Sequence, residues 1–159
     1  SYRDGKGVVS APLSFAEKNA ISLSDLQRVN LSLLFPGQPE ALELGLSEAQ
    51  RQHLIRAMTV DLSAKKRAGE HAPLSLGLLE VLPAKELRYV AKSGRAYGFH
   101  LDNAYVEHVP SGRAFFVTAV VYANSDGVLN DDDYDYDELS KPLLGALGAA
   151  LAKSLLAER

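Results

Sequence analysis

Three successive runs of strand chemistry between residues 87 and 123 constrain this chain more than any other feature. They are Leu87-Arg88-Tyr89-Val90-Ala91, Gly98 to Val109 and Ala114 to Ala123, the last two joined by Pro110-Ser111-Gly112-Arg113. Aromatic and β-branched residues dominate the runs and turn formers separate them. Connections this short join antiparallel neighbours, so the segment predicts a three-stranded meander. A helix is expected next, from about Glu138 or Ser140 to Ala157, with Pro142 tolerated in its first turn. In it Leu139, Leu143, Leu147, Leu151 and Leu155 step by four. That spacing predicts an inward leucine stripe, with Gly145 and Gly148 allowing close approach to a sheet.

Two helices are expected upstream. Ser22 or Ser24 can cap the first, over Asp25 to Leu34, where Leu26, Val29, Leu33 and Leu34 share a side and Pro36-Gly37 ends it. Ser47 caps the second, which carries Leu54, Ile55 and Met58 on its apolar side and ends near Val60 to Ser63. The resulting fold class is α+β: an antiparallel three-stranded meander packed by a C-terminal helix and preceded by two or more helices. The expected divisions are an irregular lead-in over 1–21, a helical part over 22–63, a connection over 64–85, strands over 86–123 and the last helix over 138–157. At 159 residues this is one domain or a fragment of one.

A net charge of −3 gives no electrostatic footprint for nucleic acid. No uninterrupted apolar run approaches the ~18–20 residues of a membrane span, and the opening residues lack a signal-peptide core. A soluble chain is expected. The absence of cysteine excludes disulfides and thiolate sites and suits any redox compartment. The chain begins with Ser1 rather than Met, so the expectation is that something upstream has been removed.

Several motifs have a bland reading that outweighs the chemical one. Ser63-Ala64-Lys65-Lys66 satisfies Ser-x-x-Lys but sits in a polar connection with no apolar period, so it reads as coincidence, and the charges Lys65 to Arg67 read as a solvated run. Asn124 to Asp133 has the oxygens of a calcium loop without its spacing, and reads as a turn with an acidic patch. His53, His71, His100 and His108 include no i, i+4 pair, and no metal site is expected. Gly5-Lys6-Gly7 is too short for a phosphate loop. The exception is Lys92-Ser93-Gly94, which follows one strand run and precedes another. A cation, a hydroxyl and a bare backbone along one strand edge can grip a carboxylate beside a reacting carbonyl.

With that triplet in place, the segments Ser22 to Leu34, Leu46 to Met58 and Tyr89 to Phe99, in this order, resemble the C-terminal half of class A β-lactamase-like, penicillin-recognising serine hydrolases. Asp102 to Val106 and Pro110 to Arg113 continue the likeness, which covers roughly residues 20 to 157. The resemblance implies a partial transpeptidase-like fold. It implies that Lys92 and Ser93 bind the substrate carboxylate, that Gly94 lets the acyl group approach, and that the backbone N–H of Arg95 is one oxyanion donor. Lys92 and Arg95 are thus the implied catalytic groups, acting on a β-lactam or peptidoglycan-like amide in a periplasmic or secreted enzyme without a cofactor. Neither the family's nucleophile helix nor its Ser-Asp-Asn motif has a match before Lys92, and Tyr122-Ala123-Asn124 matches Tyr-x-Asn only after the triplet. The nucleophile is therefore expected on a missing N-terminal half that acts as this chain's partner. The alternative expectation is a non-catalytic binding or interaction domain that keeps the architecture.

Overall fold

The structure is a computed structural model, and it describes residues 1–64 and 72–156. It is an α+β fold built on the expected antiparallel sheet, with strands β3 (Leu87–Ala96), β4 (Phe99–His108) and β5 (Arg113–Tyr122) in that spatial order. The register runs unbroken from Leu87 opposite His108 to Ala96 opposite Phe99, and from Phe99 opposite Tyr122 to His108 opposite Arg113. Strand β3 therefore continues beyond Ala91, where its apolar run stops, and carries Lys92, Ser93 and Gly94 within the ladder. The tight connection explains the extension: Tyr97 (φ 52°) and Gly98 (φ 81°) both lie in the left-handed region, as a two-residue primed turn requires, and this turn feeds paired strands directly.

Helix α1 (Leu23–Leu34) starts at Ser22, whose hydroxyl accepts from the Asp25 N–H at 3.0 Å. It lies against β4 and β5, where Asn103 Nδ2 donates to the Leu26 carbonyl at 3.2 Å. Helix α2 (Glu48–Met58) opens with a reciprocal capping box between Ser47 and Gln50. It stops at Met58, short of the expected Val60 to Ser63, because the chain turns extended to pair with the sheet: Val60 N–H donates to the Tyr89 carbonyl at 2.9 Å. Of its three apolar residues only Ile55 is buried.

Two elements correct the expected divisions. The lead-in holds a small hairpin, β1 (Tyr2–Asp4) and β2 (Gly7–Val9), whose turn is stabilised by Asp4 Oδ1 accepting from the N–H groups of Lys6 and Gly7. The expected connection over 64–85 contains α3 (Leu74–Val81), short and nearly all apolar, so it shows no polar face and no helical period. Residues 65–71 lie outside the described residues.

The last helix, α4 (Lys141–Leu151), is flanked by π turns over Tyr136–Ser140 and Ala152–Leu156. Its expected leucine stripe does not face inward. Leu143 is 57% exposed, and Leu139, Leu147 and Leu155 are exposed too, whereas Leu144, at 1%, and Leu156 are buried. The inward row is displaced by about one residue and passes through Gly145, Gly148 and Ala152. Glycine decides the matter. A Cβ on Gly148 would collide with the Leu74 backbone, and one on Gly77 with the backbone of Gly145 and Ala149, so the two helices touch at a separation that bulkier residues forbid. The close approach is thus to α3 rather than to the sheet. The whole stretch Tyr136–Leu156 is also long and apolar enough, by length and composition, to cross a membrane. Its inward row joins Leu74, Leu78, Leu87, Tyr89, Ala104 and Val106 in the core.

Candidate functional site

Strand alternation fixes which groups of β3 face outward. The Tyr89 carbonyl accepts from Val60 on the side away from β4, and in an antiparallel strand a residue's N–H and C=O point to the same side. Every second residue repeats that direction, so the backbone groups of Ala91, Ser93 and Arg95 are turned away from β4, while those of Lys92 and Gly94 are turned toward it. Past Val60 this edge borders a groove of about 360 Å³. Ala57, Met58 and Val60 form one wall, β3 from Ala91 to Arg95 the floor, and His100 also lines it. All four residues of the expected site, Lys92, Ser93, Gly94 and Arg95, are thus in one place.

Each contributes something different. The Lys92 ammonium folds back to donate to the Ser93 carbonyl at 2.6 Å, which places the cation over the outward edge. Gly94 is exposed, and an added Cβ would meet nothing within 4 Å, so packing does not require a glycine there. The Arg95 guanidinium stands over the Tyr136 ring, 5.5 Å from its centroid. Its backbone N–H faces the groove by the alternation.

Behind Ser93 lies a buried carboxylate that the motif reading passed over. Asp102 stands directly opposite Ser93 in the ladder and is 0% exposed. Its Oδ1 accepts from the Ser93 hydroxyl at 3.0 Å, and its Oδ2 accepts from the Tyr89 hydroxyl at 2.8 Å and from the Leu74 N–H at 3.2 Å. Burial pushes the Asp102 carboxyl up to about 6, against the opposing pull of the hydrogen bonds from Tyr89, Leu74 and Ser93. The Tyr89 phenol is raised well above its ordinary value by burial and by the Asp102 charge. A sequence signal for Asp102 did exist. It shares the inward parity of β4 with Ala104 and Val106, and a carboxylate on a core face needs partners.

His100, opposite Arg95 and 1% exposed, closes the site near the hairpin turn. Its Nδ1 lies 2.7 Å from the Ser140 hydroxyl, which donates its own proton to the Tyr136 carbonyl at 3.1 Å. The imidazole therefore carries its proton on Nδ1. Burial, then the neighbouring Arg95 and Lys141 cations, lower its pKa to about 4. Tyr136 ties this end together, accepting from the Gly98 N–H at 3.0 Å and meeting the His100 ring edge-on.

The other motifs lie elsewhere. Ser63 donates to Asp61 at 2.6 Å in a local turn, and Lys65, Lys66 and His71 fall outside the described residues. In the acidic loop, Asp126, Asp131 and Asp135 accept from the N–H groups of Val128, Asp133 and Ser125. Tyr122 is half exposed at the far end of β5, across the sheet from the groove. Comparison of the chain with protein-family models, with curated proteins and with solved structures gives no match.

Proposed function

We propose that the β3 edge is the substrate-carboxylate strand of a β-lactamase-like serine hydrolase, and that this chain is the C-terminal portion of such an enzyme. The observation that carries this reading is the placement of Lys92, Ser93, Gly94 and the Arg95 N–H along one strand that floors a groove. The Lys92 cation attracts a carboxylate. A backbone donor held on a strand needs no reorganisation when charge develops on a carbonyl oxygen, which is what an oxyanion site requires. The exposed Gly94 leaves room for an acyl group. The serine that attacks belongs to another segment in this reading, since the Ser93 hydroxyl donates to the buried Asp102 carboxylate.

The test is acylation by a penicillin in the protein purified from cells that make it, read as intact masses under denaturing conditions. The drug's mass is expected on a serine outside residues 1–159, with Lys92→Ala slowing acylation by roughly tenfold or more, the value of one lost charge-assisted contact. Equal rates in Lys92→Ala and wild type would contradict the reading.

A second reading, a non-catalytic interaction domain, draws on the exposed row Leu139, Leu143, Leu147 and Leu155 and on the end position of β5 in the sheet. It expects Lys92→Ala to change nothing catalytic.

A further inference from the structure

The groove carries more positive charge than one carboxylate needs. Lys92 and Arg95 both line it, no acidic side chain does so among the described residues, and His100, lowered to about 4, adds no third charge near neutral pH. In a chain of net charge −3, two cations with no acid lining the same groove make a local site for anions. They are not placed to share one. Three residues apart on β3, they are separated by about 10 Å along the strand and leave it on opposite faces. Lys92 folds back onto the Ser93 carbonyl, whereas Arg95 turns to Tyr136 near the hairpin.

We propose that the Arg95 guanidinium receives a second anionic group, so that the groove selects ligands with two carboxylates, one at Lys92 and one at Arg95. This rests on the carboxylate-binding reading of the groove. Arg95 is exposed, and among the described residues its guanidinium enters no ion pair and no hydrogen bond. Asp137, the carboxylate whose charge it influences, is paired with Lys141. The Tyr136 ring attracts the Arg95 cation without consuming its N–H donors, which can meet a planar carboxylate two at a time.

The platform under Arg95 is itself fixed. The Tyr136 hydroxyl accepts from the Gly98 N–H at 3.0 Å, and its carbonyl accepts from the Ser140 hydroxyl at 3.1 Å. The ring meets His100 edge-on and lies 5.3 Å from the Tyr134 ring, centroid to centroid. A guanidinium resting on a ring so restrained loses less freedom on binding than one on a loose stem, which favours recognition of a fixed second group.

The experiment titrates two penicillins that differ by a single carboxylate, benzylpenicillin and its α-carboxy derivative carbenicillin, into the 159-residue chain near neutral pH, following backbone amide shifts of β3. Carbenicillin is expected to bind about tenfold more tightly, the value of one charge-assisted contact, and to move the Arg95 Nε–H resonance more than benzylpenicillin does. Arg95→Gln, which retains the backbone N–H, should bring the two affinities to within about twofold of each other. Equal binding of the two penicillins by the wild-type chain overturns the second contact while sparing the groove, and so does an Arg95→Gln chain that keeps the full preference. Absence of any β3 amide shift with either penicillin overturns the carboxylate groove and the second contact together.

Discussion

The seam between α3 and α4 and the groove along β3 meet at a single residue and obey opposite rules. The Leu74 carbonyl lies against Gly148 in the seam, and the Leu74 N–H reaches Asp102 behind the groove. In the seam Gly77 and Gly148 are fixed by contact, since a methyl group on either would run into the facing backbone. Along the groove the contacts are polar instead: a lysine on a flexible stem, and a serine that donates to a carboxyl pushed up to about 6 by burial.

Breaking the seam should have the largest effect. Leu144→Ala removes a fully buried side chain and should cost about 2–5 kcal/mol, whereas Leu143→Ala, one residue away, should stay within about 0.5 kcal/mol. Urea midpoints of the two variants measure the contrast directly. Gly148→Ala should cost about 3 kcal/mol, the upper part of the overpacking range, because the obstacle is backbone. It should also disturb the Leu74–Asp102 bond, seen as a shift in the Leu74 amide resonance.

The polar side offers a subtler test. Asp102 has a folded pKa, about 6, above its ordinary 3.8, so its protonated form is favoured by folding; that stability is full below pH 4 and is lost as pH rises through 6. The loss amounts to about 3 kcal/mol at most. His100 does the reverse: its folded pKa, about 4, lies below the ordinary 6.5, so its contribution is present above pH 6.5 and is lost as pH falls toward 4. The two nearly cancel in the wild type, whose stability should be almost flat over that window. Asp102→Asn should make stability rise with pH between 4.5 and 6.5, and His100→Gln should make it fall, as urea midpoints at the two ends would show. Lys92→Ala, like Leu143→Ala, is an exposed change expected within about 0.5 kcal/mol, although it removes the lysine cation from the groove.

Much of the sheet was legible in the sequence because β3, β4 and β5 each carry a pattern that only a strand satisfies, with turn residues between. The helix starts at Ser22 and Ser47 were legible for the same kind of local reason, a side-chain cap. What escaped was non-local. Helix α3 has no polar face to betray its period, and its glycine is explained only by Gly145 and Ala149, some seventy residues on. The leucine row of α4 repeats as regularly as any core stripe, yet its glycine row is the one that packs. In the site, the triplet Lys92-Ser93-Gly94 announced itself, while Asp102, His100 and the wall from Ala57 to Val60 become part of it only through pairing across strands and the folding back of the α2 exit.

The central claim is that the outward edge of β3 is a ligand edge, and the most direct measurement is a residue-by-residue map of amide shifts on adding benzylpenicillin. The groove-facing amides of Ser93 and Arg95 are expected to move more than those of Lys92 and Gly94, which face β4, and the pattern is expected to vanish in Lys92→Ala. Shifts gathered instead on the exposed leucines of the last helix, or spread evenly along β3, would contradict it.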